Sequence, residues 1–187
     1  VQKDKLREKI SQKIRKLLDS AEQFAGYKID FDFKLFFSEV FHEKKGFDVV
    51  IGNPPYGVSF TKSEKEYLKI IYSAVHVRTP ESFNYFVFKF SELTNKYGSD
   101  WLIIPSSFLT QTEFEKSRKL ILNSHSLSNI INLGDGVFDG VTAPTCIIGF
   151  KKRKVESDII YADIREIAKN DLRAILKNVS KVLDANS

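Results

Sequence analysis

The residues best suited to chemistry in this sequence form one unbroken run, Asn53-Pro54-Pro55-Tyr56. The side-chain oxygen of Asn53 can accept a hydrogen bond from an amine, and Tyr56 offers a flat aromatic face. Each proline lacks an N–H and has a fixed φ, so the turn is rigid and its carbonyl groups point in fixed directions. Two acceptors beside an aromatic face suit an amino group on a planar ring, such as the exocyclic amine of a nucleobase flipped out of a helix.

A buried strand should deliver this turn to the edge of a sheet. Val49, Val50 and Ile51 form a short β-branched run, which is typical of a central parallel strand covered on both faces. Prolines cannot continue a sheet ladder, so we expect the chain to leave the sheet at Asn53. Open α/β sheets bind their ligands at the carboxyl ends of their strands. The sequence therefore predicts a binding site immediately after this strand.

The composition is that of a globular domain with a mild preference for anionic partners. The 187 residues are 42% hydrophobic and 28% charged, and the net charge is +5, which suits a nucleic acid among other partners. We see no apolar run long enough to span a membrane and no signal peptide, so we expect a cytoplasmic location and no membrane partner. One cysteine and three scattered histidines predict neither a disulfide nor a metal site. The sequence has no methionine and begins with Val1, so we expect it to be a piece of a longer protein.

Before the turn, the hydrophobic spacing predicts one helix and one strand. Residues 27–41 are rich in aromatic side chains with partial alternation, which favours a strand and a turn. Residues 2–25 predict an amphipathic helix that ends at Gly26, because six apolar residues fall on one stripe: Leu6, Ile10, Ile14, Leu17, Leu18 and Ala21.

After the turn, helices and strands alternate. Residues 63–72 predict a short helix, residues 100–105 a buried strand that stops at Pro105, and residues 113–123 another helix. Residues 82–97 predict a helix that ends at Gly98, with five apolar residues facing inward: Phe83, Phe86, Val87, Phe90 and Leu93.

Two later strands should pair with each other. Residues 127–133 and 145–150 read as strands, and the loop between them is too short for a crossover helix, so they must form an antiparallel hairpin. The glycines of this loop do not form a dinucleotide-binding loop, because a strand follows them instead of a helix. Residues 158–161 predict one more short strand, and residues 164–184 a helical tail.

Three segments carry a resemblance to a known family. Residues 47–57, FDVVIGNPPYG, resemble motif IV of the γ-class adenine-N6 DNA methyltransferases, and residues 131–150, INLGDGVFDGVTAPTCIIGF, resemble their motif VII–VIII hairpin. Residues 37–41, FSEVF, are similar to the segment that precedes motif IV in type IIG restriction–modification enzymes, with Ser38 in place of the usual proline. The resemblance covers about residues 36–155, which correspond to motifs IV to VIII, one half of a catalytic domain.

The resemblance implies an α/β fold, the C-terminal half of a Rossmann-like S-adenosylmethionine-dependent methyltransferase sheet, with an antiparallel terminal hairpin and an added N-terminal helix. It divides the chain into an amphipathic helix at 1–26, a catalytic half-domain at 27–155, and a helical tail at 156–187 that leads toward a target-recognition domain. The family binds its cofactor mainly through a glycine-containing loop and an acidic residue after earlier strands. This sequence contains neither, so we expect both in the remainder of the parent chain.

The resemblance also implies a reaction and a role for each site residue. The parent protein would transfer a methyl group from S-adenosylmethionine to N6 of an adenine flipped out of double-stranded DNA, in a restriction–modification system. Asn53 and the Pro54 carbonyl would accept the amine hydrogens, while Pro55 keeps the turn rigid. Tyr56 and Phe138 would stack on the base, and Asn53 and Pro55 would also face the cofactor. Five cations are candidates for contact with the DNA backbone, with a solvated surface as the alternative: Lys62, Lys65, Arg78, Lys151 and Lys152.

Two other functions stay open on the sequence alone. Methyltransferases that act on a glutamine amide or on ribosomal RNA carry the same Asn-Pro-Pro-Tyr run. Because the main cofactor elements are missing, the isolated chain is expected to be inactive, and a non-catalytic module that contacts DNA is the second alternative.

Overall fold

The computed structural model describes residues 2–25, 32–138, 142–155 and 158–166, with only the backbone described for parts of the first helix. The chain divides into two compact units, Val1–Gly46 and Phe47–Ser187. No helix within the described residues is both long enough and apolar enough to cross a membrane.

Most of the described residues of the first unit are helical. Helix α1 spans Gln2–Ala25, as predicted, and it exposes Leu6, Ile10 and Leu17 while burying Ile14. The side chains of Leu18 and Ala21, and all of Gly26, lie outside the described residues.

The strand and turn predicted for residues 27–41 are wrong where that segment is described. Two short helices, α2 at Phe33–Phe36 and α3 at Ser38–Glu43, occupy this stretch. The Asp32 carboxylate accepts a hydrogen bond of 2.9 Å from the backbone N–H of Leu35 and so caps α2. A cap of this kind satisfies one of the free N–H groups of a helix start, which the partial alternation of aromatic residues does not reveal.

The second unit contains a five-stranded sheet. Its strands are β1 at Phe47–Gly52, β2 at Thr94–Pro105, β3 at Ser126–Gly134, β4 at Thr145–Lys151 and β5 at Ile160–Asp163. Their order is β1-β2-β4-β3-β5, with β1 parallel to β2 and β3 parallel to β5. Strand β4 runs antiparallel to both of its neighbours, which confirms the predicted hairpin. The strand expected at 158–161 begins two residues later. The helical tail predicted for 164–184 is not helical at 164–166, and its residues 167–184 lie outside the described residues.

Within the described residues of this unit, four helices accompany the sheet: α4 at Lys62–Ile71, α5 at Ser82–Leu93, α6 at Ser107–Thr110 and α7 at Glu115–Ser124, with a 3-10 turn at Thr112–Phe114. Helix α4 begins with a reciprocal cap. The Thr61 hydroxyl accepts from the Glu64 N–H, and the Glu64 carboxylate accepts from the Thr61 N–H at 2.7 Å. The helices predicted near residues 63–72 and 113–123 are confirmed as α4 and α7.

The main hydrophobic core of this unit joins the helices to the sheet. Leu102 and Ile104 of β2 and Ile148 of β4 are fully or almost fully buried, and they pack with Phe83 and Val87 of α5. Phe108, Phe114 and Ile121 extend this core beneath α6 and α7. The alternation of buried and less buried residues along β2 shows which of its side chains point into this core.

The prediction that Val49-Val50-Ile51 form a central strand is wrong for the described sheet. Strand β1 lies at its edge, since β2 is the only described strand that pairs with it. Val49 and Ile51 are 53% and 77% exposed, whereas Val50 is partly buried. Residues alternate between the two faces of a strand, so one face of β1 points toward helix α5 and the other carries exposed apolar side chains.

The helix predicted for residues 82–97 ends earlier than expected. Helix α5 stops at Leu93, and β2 begins at Thr94. Gly98 is not a helix cap: a Cβ added there would lie 2.7 Å from the Asp48 carbonyl oxygen, so glycine permits the close approach of β1 and β2. Four of the five residues predicted to face inward are at least partly buried, and the fifth, Phe86, is 37% exposed.

A buried polar cluster lies near the amino end of β2. Asp100 is fully buried and accepts a 2.5 Å hydrogen bond from the Thr94 hydroxyl, and burial raises the pKa of its carboxyl to about 6. Lys152 donates to the backbone carbonyl oxygen of Ser91. The Ser91 hydroxyl lies 2.6 Å from Nε2 of His125, and burial lowers the pKa of that imidazole to about 4, so it is neutral at physiological pH.

Candidate active site

The carboxyl ends of four described strands meet at one edge of the sheet. Strands β1, β2, β3 and β5 run in the same direction, and the antiparallel β4 begins at this edge with Thr145. The four strands end at Gly52, Pro105, Gly134 and Asp163. The loop from β3 to β4, which carries Phe138, therefore emerges at the same edge as Asn53. The structure thus brings both predicted parts of the site to one edge, as expected for a ligand site in an open α/β sheet.

The turn of residues 53–56 is held in place from α5. Pro54 is buried, whereas Asn53 and Pro55 are exposed. The hydroxyl of Ser82, the first residue of α5, donates a hydrogen bond to the Pro55 carbonyl oxygen. This bond joins positions 27 residues apart and fixes the direction of one carbonyl in the turn.

Tyr56 ties the same turn to β2. Its hydroxyl oxygen lies 2.9 Å from the backbone carbonyl oxygen of Ile103 and 3.0 Å from Oδ1 of Asn53. Its ring packs edge-to-face on Phe83, with 6.3 Å between the ring centroids. Burial raises the pKa of the phenol to about 12, so the hydroxyl keeps its proton throughout the physiological range.

A cavity of about 600 Å³ opens beside Tyr56. Residues from four places form its wall: the turn, the region around the start of α5, the segment from Pro105 onward at the end of β2, and the β3–β4 loop. The aromatic faces of the wall suit a planar ring, and its polar groups offer both hydrogen-bond donors and acceptors. The lining residues are Tyr56, Gly57, Thr79, Glu81, Phe83, Pro105, Ser107, Gln111, Glu113, Phe114, Thr142 and Ala143. Asn53 is not a lining residue, but its side chain contacts the hydroxyl of Tyr56, which is one.

Phe138 lies in the β3–β4 loop and is partly exposed. It is outside the buried core and is not one of the residues that form the cavity wall. The same loop nevertheless contributes Thr142 and Ala143 to that wall. Phe138 is therefore carried by a loop that reaches the cavity, and its stacking on a base stays a prediction.

The five predicted phosphate-contacting cations fall in two places. Lys62, Lys65 and Arg78 are exposed, and Arg78 immediately precedes Thr79 of the cavity wall. Lys151 pairs with Ser99 at the amino-terminal half of β2, and Lys152 follows it, so both lie toward the opposite edge of the sheet. The ammonium group of Lys152 also donates hydrogen bonds to the carbonyl and hydroxyl oxygens of Ser91.

Sequence reasoning missed two anchors of the turn, Ser82 and the Ile103 carbonyl, and two carboxylates of the cavity wall, Glu81 and Glu113. The Glu113 carboxylate accepts a hydrogen bond of 2.9 Å from the backbone N–H of Thr79, which links the wall across 34 residues. A serine at a helix start was the visible signal for Ser82. The other contacts depend on which elements pack together, and no local pattern marks them.

Comparison with known proteins identifies the family. The sequence model of the Eco57I restriction-modification methylase matches residues 1–138, more than half of the chain. A relative from Methanocaldococcus jannaschii, named as a type II restriction enzyme and methyltransferase, RM.MjaORFECS2P, is 36% identical over 155 residues. That match includes 80% of this chain but only 12% of the relative, so the chain spans a small part of that protein's length.

Solved structures support the fold. A protein of Listeria monocytogenes assigned as a class I S-adenosylmethionine-dependent methyltransferase matches 73% of this chain, and 43% of its own, with a TM-score of 0.54 and 17% identity. A nuclease-deletion mutant of the Type ISP restriction-modification enzyme LlaGI, in complex with a DNA substrate mimic, matches 84% of this chain and 18% of its own, with a TM-score of 0.56 and 19% identity. These likenesses confirm the predicted class, a partial Rossmann-like methyltransferase sheet.

The sequence match thus agrees with the methyltransferase-like fold of the sheet. It also confirms the resemblance to methyltransferases of restriction–modification systems that the three sequence segments indicate. The chain belongs to the Eco57I restriction-modification methylase family.

Proposed function

We propose that the protein containing this chain transfers a methyl group from S-adenosylmethionine to N6 of an adenine flipped out of double-stranded DNA. One observation carries the proposal: the Asn53–Tyr56 turn stands at the carboxyl end of β1, anchored to α5 and β2, beside an aromatic-lined cavity. Membership of a restriction-modification methylase family supports DNA as the substrate.

The turn acts by holding the amine. The exposed Asn53 amide oxygen and the Pro54 carbonyl accept the two N6 hydrogens, which points the nitrogen lone pair at the methyl carbon. The amine nitrogen would be the nucleophile toward the sulfonium methyl group, and the sulfur would be the leaving group that keeps the electron pair of the C–S bond. The nitrogen then releases one proton to solvent. The protein contributes mainly position, because the amine itself is the nucleophile and no covalent enzyme intermediate is needed.

The aromatic side chains hold the ring. Tyr56 presents a rigid face at the cavity, because its hydroxyl and its contact with Phe83 restrict it. Phe138 approaches the base from the β3–β4 loop in this proposal. Base–aromatic stacking contributes about 1–3 kcal/mol per base. Lys62, Lys65 and Arg78 are the proposed phosphate contacts, because they are exposed. Lys151 and Lys152 are not proposed for this role, because they lie toward the opposite edge of the sheet.

The chain's residues fit S-adenosylmethionine in part. When bound, this cofactor supplies an electrophilic methyl group on a sulfonium. Asn53 and Pro55 follow β1 and are exposed, so they are the proposed contacts on the cofactor side. The remaining contacts are proposed to come from elsewhere in the full-length protein, since the chain spans only 12% of its curated relative.

The two alternatives predict different substrates. A methyltransferase of a glutamine amide or ribosomal RNA should ignore duplex DNA, and a non-catalytic module should bind DNA without modifying it. The family match favours DNA over the first alternative. An assay of the full-length protein with radiolabelled S-adenosylmethionine and duplex DNA separates these outcomes, with N6-methyladenine as the product to be identified after digestion.

Asn53→Ala supplies the mechanistic test. The variant loses the amide acceptor but keeps both aromatic rings, so single-turnover methylation should fall by about 10²–10³ while DNA affinity changes little. Asn53→Asp keeps an acceptor and should retain more activity. Asn123→Ala, at an exposed asparagine of α7, is the matched control and should leave the rate unchanged. Equal turnover of wild type and Asn53→Ala would remove Asn53 from the proposed role.

A further inference from the structure

The Tyr56 hydroxyl has one hydrogen and two neighbours that are placed as acceptors. Its oxygen is 2.9 Å from the Ile103 carbonyl oxygen and 3.0 Å from the Asn53 side-chain oxygen. A neutral phenol donates one hydrogen bond and accepts others. It stays neutral here because burial raises its pKa to about 12. One of the two contacts therefore lacks a hydrogen when both partners present oxygen.

The chemistry of the two partners decides where the hydrogen goes. The Ile103 carbonyl belongs to the backbone of β2 and can only accept, so it requires the phenol as donor. The Asn53 side chain can turn about its terminal torsion, which exchanges Oδ1 and Nδ2 at nearly the same positions. With Nδ2 toward Tyr56, the amide donates to the phenol oxygen and the phenol donates to Ile103. Both contacts are then hydrogen bonds.

We propose that Tyr56 is a positioning residue for the methyl-transfer reaction: its oxygen accepts from Nδ2 of Asn53 and thereby turns Oδ1 outward, toward the substrate amine. The inference rests on the proposed function, in which Oδ1 accepts from adenine N6. It adds a role to Tyr56 that is separate from the stacking of its ring. The chain of bonds runs from the rigid backbone of β2, through the phenol, to the exposed amide.

The opposite amide orientation would oppose the reaction. It would present an N–H donor to the amine hydrogens, which are donors themselves, and it would leave the N6 nitrogen poorly aligned. Since Asn53 is exposed, neighbouring packing alone does not select the orientation. The Tyr56 hydroxyl is the described contact that distinguishes the two ends of this amide.

Tyr56→Phe tests this role, because it removes the hydroxyl and keeps the ring. In the full-length protein, single-turnover methylation should fall about two- to tenfold, the effect expected from losing one orienting hydrogen bond. Affinity for DNA with an extruded adenine should stay the same, because stacking is retained. No fall in turnover would overturn the proposal.

A second pair of proteins separates orientation from general damage. In the Asn53→Asp background, both terminal atoms of the side chain are oxygens, so the Tyr56 hydroxyl cannot favour one orientation of that side chain over the other. Tyr56→Phe should then lower turnover by a clearly smaller factor than it does in the wild-type background. An equal fall in the wild-type and Asn53→Asp backgrounds would show that the hydroxyl supports the fold instead, and would overturn the proposal.

An amide signal gives a readout that does not depend on activity. With selective ¹⁵N-asparagine labelling, the two side-chain NH₂ signals of Asn53 are assigned as those that disappear from the spectrum of the Asn53→Asp variant. We expect nuclear Overhauser contacts from these hydrogens to the Tyr56 ring hydrogens next to the hydroxyl. Absence of these contacts would place Oδ1 toward Tyr56 and overturn the inference. If the wild-type protein methylates no DNA, the proposed function fails on its own, and this spectrum still tests the amide orientation.

Discussion

At the scale of single residues, the Asn53–Tyr56 turn depends on contacts made far away in the sequence. Its prolines restrict φ, but direction comes from Ser82, which holds the Pro55 carbonyl, and from Ile103, which holds the Tyr56 hydroxyl. The side chain of Asn53 is exposed, but the backbone turn that carries it is held by these two contacts. Removing either anchor should loosen the geometry of the site without removing any group that contacts the substrate.

Phe138 provides a prediction at this scale. Phe138→Ala should weaken binding of DNA with an extruded adenine by about 1–3 kcal/mol in the full-length protein, because one stacking face is lost. Its melting temperature should change little, since Phe138 is partly exposed and outside the core. Binding is measured by fluorescence anisotropy and melting by calorimetry.

Phe114→Ala is the matched control for that experiment. Phe114 is 2% exposed and lies in the core, so its truncation should cost about 3–5 kcal/mol of stability. A Phe138→Ala protein that melts like Phe114→Ala, with unchanged base binding, would show that Phe138 serves packing and not stacking.

The buried Asp100 predicts a pH dependence of stability. Its carboxyl has an ordinary pKa of 3.8 and a pKa of about 6 in the folded protein, because burial disfavours the charge. The folded state therefore holds the proton more tightly, and the stability present below pH 3.8 is lost as the pH rises through 6. The loss amounts to about 3 kcal/mol.

The side chain of the Asp100→Asn variant cannot ionise, so the variant does not lose this stability as the pH rises. The unfolding free energy of the variant minus that of wild type should increase by up to about 3 kcal/mol between about pH 4 and about pH 7.5. Urea denaturation at both pH values measures the difference, with the exposed Asp158→Asn as control. A difference that stays constant with pH would mean that Asp100 is not the group that titrates.

At the scale of elements, the small size of Gly52 sets the fit between β1 and α5. A Cβ at Gly52 would lie 2.2 Å from Cε2 of the Phe90 ring. Gly52 also directly precedes Asn53, so the closeness of this contact places the site against α5. The contact also shows why the last residue of β1 is small although the strand is apolar.

Gly52→Ala should therefore destabilise the protein by about 1–3 kcal/mol, because the Phe90 ring must move. Combining it with Phe90→Ala should cost less than the sum of the two single changes, since the truncated ring leaves room for the new methyl group. Urea denaturation of the four proteins measures this coupling. Additive losses would show that the ring does not limit the space at Gly52.

Local signals predicted those elements that depend on local chemistry. The prolines after Ile51 marked the end of β1, and the short segment 134–144 required an antiparallel hairpin. Nonlocal packing decided the rest. The edge position of β1 follows from its pairing with β2 alone among the described strands, and the change from α5 to β2 at Thr94 overrides an aromatic run that favours a longer helix. The Tyr56–Ile103 bond spans 47 residues and has no local signature.

At the scale of the whole molecule, the chain corresponds to 12% of its curated relative, and its sequence contains no glycine-containing loop or acidic strand end ahead of Asn53 of the type that holds S-adenosylmethionine. We therefore expect the 187-residue chain alone to show no measurable binding of S-adenosylmethionine in calorimetric titration. The full-length protein is the positive control. A micromolar dissociation constant for the chain alone would contradict this expectation.

The exposed side of β1 has a consequence for handling the purified chain. Val49 and Ile51 are apolar and largely exposed, on a strand that no other described strand covers on its outer side. Such an edge is a template for strand addition between molecules, so concentrated samples should tend to self-associate into extended sheets. A charge at the outward-facing Ile51, as in Ile51→Lys, opposes this pairing while leaving the α5-facing side of β1 unchanged. The exposed face of β1 thus affects self-association, while its opposite face packs toward α5.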